Sequence, residues 1–477
     1  MLDIEDEVAT KKQNWIACNN LIIDRRWVSL TCLLLRCFLS LGQNVIDAFH
    51  VERHHIHHRH RYHLDRVSST ASSLTAISFR QYIDDENRKG TIDSDLRDVM
   101  VSVARSCAEI SYRLTTHALD NTEGSISTVN VQGEKQKEMD LIANDIFIRN
   151  LRPFVAAMAS EEEENVIFGH KNLDLYVNDA GVDENNSYSD DSNNNADRSS
   201  EKNEEDARFY EIAFDPLDGS SNLDVNLPTG SIFGIAPYTC EHNEQATTTE
   251  REETRPFSKP GSSLVAAGYA LYSSSTELVI SFGNDVVGFT LDPNRLQQSP
   301  FSKISMTASA VTDEEDDDDE NCDVVVLAED AFLLSRERII CPTYGPYYSL
   351  NEARENDWSD PMKQWIKHAK LGQTTTGTRY SSRYVCSLCA DFHRTLLLGG
   401  WAGNPRKHLR LLYEAAPLAF LVKAAGGKGS DGTMDLLDIP PVGLHDRVCV
   451  FLGSKCDIND LLSYGDVRQV VSKTYTA

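Results

Sequence analysis

Phe214-Asp215-Pro216-Leu217-Asp218-Gly219-Ser220-Ser221-Asn222 is the stretch on which both fold and chemistry turn. Residues 210–214 are β-favouring and mostly apolar, so a strand is expected to deliver Asp215 to a sheet edge. Pro216 has no N–H to give a ladder, and the backbone is expected to turn there. Two carboxylates three residues apart on such a turn converge on one point. Oxygen-only ligands suit a hard cation such as Mg²⁺, which commonly shares a substrate phosphate. Gly219, Ser220 and Ser221 then add successive N–H groups and two hydroxyls, a nest for an anion. Cation and anion seats side by side are what metal-assisted phosphate hydrolysis requires. An Asp-rich surface turn punctuated by Pro and Gly is written in the same letters.

Working outward, Ser160-Glu161-Glu162-Glu163-Glu164 follows the apolar residues 154–159, and Leu409-Arg410-Leu411-Leu412-Tyr413-Glu414 puts a carboxylate at the end of an apolar strand. Asn130-Val131-Gln132-Gly133-Glu134, Met139-Asp140, the run 266–272 (AAGYALY) and Tyr348-Ser349-Leu350-Asn351-Glu352 complete the set. From about residue 95 to about 464 these motifs resemble the class I fructose-1,6-bisphosphatase family, part of the lithium-sensitive, Mg²⁺-dependent sugar and inositol phosphatase group.

The resemblance implies an α/β protein with a layered α-β-α-β-α arrangement in two subdomains. It also implies hydrolysis of the 1-phosphate of fructose 1,6-bisphosphate. Carried over residue by residue, Glu161, Glu162, Asp215, the Leu217 carbonyl, Asp218 and Glu414 hold at least two Mg²⁺ ions. Glu162 and Asp140 orient or deprotonate the attacking water, and Glu134 is a loop carboxylate that closes over the metals. Asp218, Gly219, Ser220 and Ser221 receive the reacting phosphate, while Asn351, Arg383, Tyr384, Ser387 and Arg410 face the sugar and its second phosphate. In that family the arginine at Arg383 reaches into a neighbouring subunit's site, which implies a homodimer or homotetramer. Bland readings stand beside these. Asp140 suits the start of a helix as an acid favouring the helix dipole. Glu414 reads equally as a strand-end surface acid, although the apolar run 409–413 makes an unpaired carboxylate expensive there.

Departures from the family pattern gather at the second phosphate. Ala353-Arg354 stands where the family has Gly-Tyr, Asn404 where it has a tyrosine, and His408 where it has a lysine. They keep a sedoheptulose-1,7-bisphosphatase or related sugar phosphatase open, with a non-catalytic acidic scaffold as a third reading. A histidine of ordinary pKa near ~6.5 at His408 would make KM fall as pH drops through that value, and His408→Lys would lower KM at pH ~8. The turn Gly90-Thr91-Ile92-Asp93-Ser94-Asp95 adds acids where AMP-inhibited members seat a phosphate, and Phe209 replaces a lysine beside Tyr210. Only Cys240 lies in the insertion where light-regulated members carry several cysteines. Weak or absent AMP inhibition and no thioredoxin switch through that loop are expected.

The chain has 477 residues and a net charge of −27, but sixteen of those charges sit in two low-complexity tracts, 178–206 and 313–320. Both read as disordered acidic insertions, and residues 240–259 as a loop insert. The charge balance argues against nucleic-acid binding. Eleven scattered cysteines give no disulfide framework, which suits a reducing compartment, and Cys386-Ser387-Leu388-Cys389 reads as small residues packed on a helix. Residues 1–80 form an extension outside the resemblance, 81–310 a subdomain with the metal and phosphate motifs, and 325–477 one that binds the sugar phosphate. Within the extension, residues 27–41 are too short for a membrane span of ~20 residues. Half of the histidines fall between His50 and His63, and residues 66–79 are rich in Ser and Thr. A signal-like core before such a stretch suits a plastid protein imported through the secretory route, with the cytoplasm as the alternative.

Overall fold

Apolar residues at helical spacing open the described part of the chain. The computed structural model describes residues 76–116, 125–129, 135–170, 209–238, 255–298 and 327–469. Glu134, the N-terminal extension up to residue 75, both acidic tracts and most of the 240–259 insert lie outside the described residues. A capping box at Ser78 opens α1 (Phe79–Arg88), and α2 (Ser94–Thr116) buries Leu96, Val99, Met100, Val103, Cys107 and Ile110 along one face. The antiparallel pair β1 (Ser125–Val129) and β2 (Lys135–Lys137) leads into α3 (Glu138–Leu151), with Asp140 in its first turn.

Next come β3 (Ala157–Ser160), β4 (Ile167–Phe168), β5 (Tyr210–Asp218), β6 (Thr229–Pro237), β7 (Ala266–Tyr272), β8 (Thr276–Ser281) and β9 (Val286–Leu291). With the short α4 (Pro293–Gln297) and β10 (Phe332–Arg336), they build an eight-stranded sheet in the order β10-β9-β8-β7-β6-β5-β3-β4. Every neighbouring pair is antiparallel except β3 and β5. The second half supplies β11 (Tyr347–Ser349), α5 (Asp360–Leu371), β12 (Ser381–Ser382), α6 (Leu388–Leu398) and β13 (Trp401–Arg410). It ends with α7 (Ala416–Ala424), β14 (Lys428–Ser430), β15 (Arg447–Gly453) and α8 (Lys455–Ser463). Its five strands are ordered β12-β11-β13-β15-β14.

Strand alternation sets the layers. Phe233 and Ile235 of β6 and Ala270 and Tyr272 of β7 pack with α1, α2 and α3. Ile232, Ala267, Tyr269 and Leu271 face the other way, onto Phe392 and Leu396 of α6, Leu418 and Val422 of α7, and Val448, Val450 and Leu452 of β15. The far face of the small sheet, through Tyr348, Trp401 and Phe451, meets Trp365 of α5 and Ile458 of α8. The result is helix, sheet, helix, sheet, helix, as the resemblance implied. Among the described residues no helix is long and apolar enough to cross a membrane.

Two local expectations fail, each for a physical reason. β5 is an interior strand, and it runs past Pro216 rather than ending there. Asp215 lies opposite Ile232 and Asp218 opposite Gly230, so Pro216 and Leu217 together face Ser231. A bulge leaves a residue unpaired, which suits one with no N–H. The apolar run 409–413 likewise does not stay extended, because β13 ends at Arg410 and Leu411–Ala415 is a π-helical turn carrying Glu414 into α7. Pro417 occupies the first turn of α7, and Gly426, at φ 86°, follows its end. Around residues 299–326, Asp292 N–H donates to the Ala331 carbonyl at 2.8 Å and Arg295 Nη1 to the Asp330 carbonyl at 3.4 Å. Beside them, buried Glu329 pairs with Arg80 and, at 2.9 Å, with Arg105.

Candidate active site

Three acids meet where β5 ends. Asp215, Asp218 and Glu414 are all buried, and one carboxylate oxygen of each lies within 4.8 Å of the others. Asp215 Oδ1 accepts the Leu217 N–H at 3.0 Å, which tightens the bulge on itself. Asp218 Oδ2 accepts the Cys389 N–H at 2.9 Å in the first turn of α6, where the free N–H groups of a helix favour a negative charge. Ser387 caps that helix by accepting the Ala390 N–H and stands 3.5 Å from Asp218 Oδ2. The helix gets this close because Gly230 opposes Asp218: a Cβ there would lie 2.4 Å from Cys389 Sγ.

Burial is the largest force on these carboxyls. It pushes Asp218 up to about 6 against the Cys389 N–H bond. It pushes Glu414 up to about 8, helped by the Glu161 charge and opposed by Arg410. Asp215 is raised well above the usual range by burial and then by Glu161, Asp218 and Glu414, with Glu161 also hydrogen-bonded to it. Glu161 pairs with Arg410 Nη2 at 2.7 Å, and Arg410 Nη1 stands 4.0 Å from Glu414 Oε2. Arg410 N–H also donates to Glu414 Oε2. The guanidinium expected at the sugar end thus lies among the acids. Several carboxylates crowded out of water are costly unless a cation joins them, and an all-oxygen donor set fits a hard divalent ion.

The Glu161–Glu162 turn is pinned from α3. Glu161 N–H donates to the Phe214 carbonyl at 3.2 Å. Ser160 Oγ donates to Asn144 Oδ1 at 2.7 Å and accepts the Glu162 N–H at 3.3 Å, while Asn144 Nδ2 donates to Glu163 Oε1 at 2.8 Å. Asp140, buried one helical turn before Asn144, shares its face of α3. Glu162 is half-buried. Asn144 and Ser160 escaped the sequence reading. Their available signal was a polar pair, Asp140 and Asn144, four apart on an otherwise apolar helix face.

Gly219, at φ 75°, turns the chain into a 3-10 segment, Ser220–Val225, with Ser220 half-buried and Ser221 exposed. Asn222 Nδ2 donates to the carbonyls of Pro228 and Cys386, both at 3.2 Å, tying this turn to the segment before α6. On that segment the Tyr384 hydroxyl contacts Cys386 Sγ at 3.2 Å and hydrogen-bonds Asn351. Asp391 holds the same segment by accepting the Val385 and Cys386 N–H groups. Arg383 is exposed, stacks 5.6 Å from the Tyr347 ring and donates to the Ser382 carbonyl. Asn351 and Tyr384 are thus in contact, Ser387 stands beside Asp218, and Arg410 lies with Glu161 and Glu414.

At the far end of β13, His408 Nδ1 lies 3.5 Å from Arg447 Nη1. Burial, then the charges of Arg406, Arg410 and Arg447, push His408 down to about 4. Burial and the charges of Arg354 and Arg447 lower Arg406. Asn404 uses its Oδ1 within its own turn, accepting the Arg406 N–H at 3.1 Å.

Comparison with known proteins bears on most of the chain. Residues 77–178 and 189–298 match the family described as "Fructose-1-6-bisphosphatase, N-terminal domain", and residues 341–466 match "Fructose-1-6-bisphosphatase, C-terminal domain". The chloroplastic fructose-1,6-bisphosphatase of Brassica napus is 35% identical over 393 residues, 80% of this chain and 79% of that protein. Fructose-1,6-bisphosphatase 1, chloroplastic, of Arabidopsis thaliana is 36% identical over 394 residues, 80% and 78% of the two chains. The solved Leishmania major fructose-1,6-bisphosphatase in holo form superposes with a TM-score of 0.61 at 29% identity, over 82% of this chain and 99% of that one. With its fold, its acid cluster and both halves of its sequence in agreement, the chain belongs to the fructose-1,6-bisphosphatase family.

Proposed function

We propose that the protein hydrolyses the 1-phosphate of fructose 1,6-bisphosphate to fructose 6-phosphate and phosphate. The observation that carries this is the buried trio Asp215, Asp218 and Glu414 beside the Gly219 turn. Glu161, Glu162, Asp215, the Leu217 carbonyl, Asp218 and Glu414 are the groups that would hold Mg²⁺. Bound there, Mg²⁺ supplies neutralisation of phosphoryl charge and activation of water. The chain's own residues do the rest. Glu162 and Asp140 orient the attacking water or take its proton, with Glu134 as a further acid. N–H groups of Gly219, Ser220 and Ser221 hold the phosphoryl oxygens as charge develops. Arg410 keeps Glu161 and Glu414 in register across the site. Asn351, Tyr384 and Arg383 receive the sugar and its second phosphate, so residues 325–477 supply the substrate wall together with Glu414 and Arg410, and residues 81–310 the other acids and the phosphate turn.

The same reading gives a homodimer or homotetramer through exposed Arg383. Relatives named chloroplastic favour a plastid location over the cytoplasm. Tyr210 donates to Asp93 Oδ2 at 2.6 Å, so the tyrosine that would meet AMP holds an acid, which supports weak or absent AMP inhibition. A sedoheptulose 1,7-bisphosphate substrate stays as a second reading, favoured by Arg354, Asn404 and His408 at the wall of the second phosphate.

Phosphate release from fructose, sedoheptulose and inositol phosphates tests this. Fructose 1,6-bisphosphate is expected to lead, EDTA to abolish activity and Mg²⁺ to restore it. Asp218→Ala is expected to lower kcat by at least ~10²-fold, as loss of a principal electrostatic group does. Undiminished turnover in that variant overturns the assignment.

A further inference from the structure

The bulge in β5 creates a problem that a distant side chain solves. Pro216 and Leu217 face the single residue Ser231 of β6, so the regular ladder is broken at Pro216. Ser231 is fully buried, and its Oγ donates to the Pro216 carbonyl at 2.7 Å. That uses its one proton. The Tyr272 hydroxyl on β7, 2.8 Å away, is therefore the donor to Ser231 Oγ. A one-way relay runs from β7 through Tyr272 and Ser231 to the main chain between Asp215 and Asp218. Burial pushes the Tyr272 hydroxyl well above its usual range, so this donor is not lost at working pH.

We propose that Ser231, oriented by Tyr272, is a positioning residue for the metal seat: it fixes the Pro216 carbonyl and so the placement of the Leu217 carbonyl and Asp218 against Asp215. The inference rests on the reading of these groups as metal ligands. Mg²⁺ demands near-ideal geometry and dehydrates reluctantly, so a loosened bulge weakens metal binding before it unfolds a strand buried on both faces. Asp215 and Asp218 also have separate anchors, the Leu217 and Cys389 N–H groups. The peptide between them has Ser231.

The test uses the full chain, stripped of metal and titrated with Mn²⁺ by calorimetry, alongside the activation constant for Mg²⁺, KM for fructose 1,6-bisphosphate and thermal melting. Ser231→Ala is expected to weaken Mn²⁺ binding about tenfold, the effect of one buried hydrogen bond. The Mg²⁺ activation constant is expected to rise in parallel while KM stays within about twofold. Ser231→Thr, which restores the hydroxyl, is expected to recover binding to within about threefold, and Tyr272→Phe to fall between. Wild-type Mn²⁺ affinity in Ser231→Ala overturns the proposal, even if that variant melts earlier. So does a Ser231→Thr variant that binds no better than Ser231→Ala. Failure of the wild type itself to bind Mn²⁺ overturns instead the reading of the acids on which the proposal rests.

Discussion

A histidine with its ordinary pKa near ~6.5 gains a proton as the pH falls from ~8 to ~6, and at position 408 that proton would add a cation beside a sugar phosphate. Burial and three arginines push His408 down to about 4 instead. The sign then changes what is expected: the ring charges only below about 4, so it is neutral throughout the range in which KM is measured. KM for fructose 1,6-bisphosphate should show no His408-dependent fall between pH ~8 and ~6, and His408→Gln should superimpose on the wild-type profile. Arg354, whose charge is felt at Arg406, becomes the residue to change. Arg354→Ala should raise KM roughly 10- to 100-fold with kcat little altered, as loss of a charged hydrogen bond to substrate and transition state alike requires. An inflection near ~6.5 that disappears in His408→Gln would show the ring to be the cation after all. Residues of this kind mark the limit of sequence reading. Asp215, Asp218, Glu161 and Glu414 were legible because each stands in a contiguous motif. Burial of His408 was not, since it comes from packing, and neither was the link from Ser231 to Pro216 fifteen residues away.

Among elements, β5 carries a third buried acid at its opposite end. Glu211 Oε2 accepts the N–H of Phe257 at 3.0 Å, and Phe257 sits in the left-handed region at φ 58°, a conformation strained for a side chain of its kind. Burial pushes Glu211 up to about 7, against the Phe257 N–H and the charge of Lys259. A folded value above the unfolded value of about 4.5 means that this acid stabilises the fold fully below about 4.5 and loses that contribution as pH rises through about 7. Glu211→Gln keeps an acceptor and removes the ionisation. It should therefore melt higher than wild type at pH ~8, by up to ~3 kcal/mol, and lose that advantage by pH ~5. A difference that does not vary with pH would assign the change to packing. Hydrophobic spacing foretold the strand that leads to Asp215. It could not foretell the β5 bulge or the π-helical turn at 411–415, because both are answers to tertiary demands that local periodicity does not encode.

For the whole molecule the dominant quantity is charge. Sixteen of the 27 excess negative charges lie in two tracts, 178–206 and 313–320, and the proposed substrate is itself an anion. Long-range repulsion slows the encounter of like charges and is screened within about 10 Å at 0.1 M salt. Deleting both tracts should lower KM a few-fold at low salt, leave kcat unchanged, and make no difference above ~0.5 M salt. Equal KM values at every salt concentration would mean that the tracts exert no field at the site. The layered architecture followed from motif resemblance, whereas the order of the eight strands depends on pairings that no single motif contains. The Asp292–Ala331 and Arg295–Asp330 bonds, with Glu329 clamped between Arg80 and Arg105, bring the chain out and back in at one spot. A closed doorway of this sort is indifferent to cargo: for a flexible insert, doubling its length adds only about 0.6 kcal/mol of closure entropy. A guest domain with neighbouring termini, such as a fluorescent reporter, can therefore be spliced between residues 299 and 326, and the host should register little more than added mass.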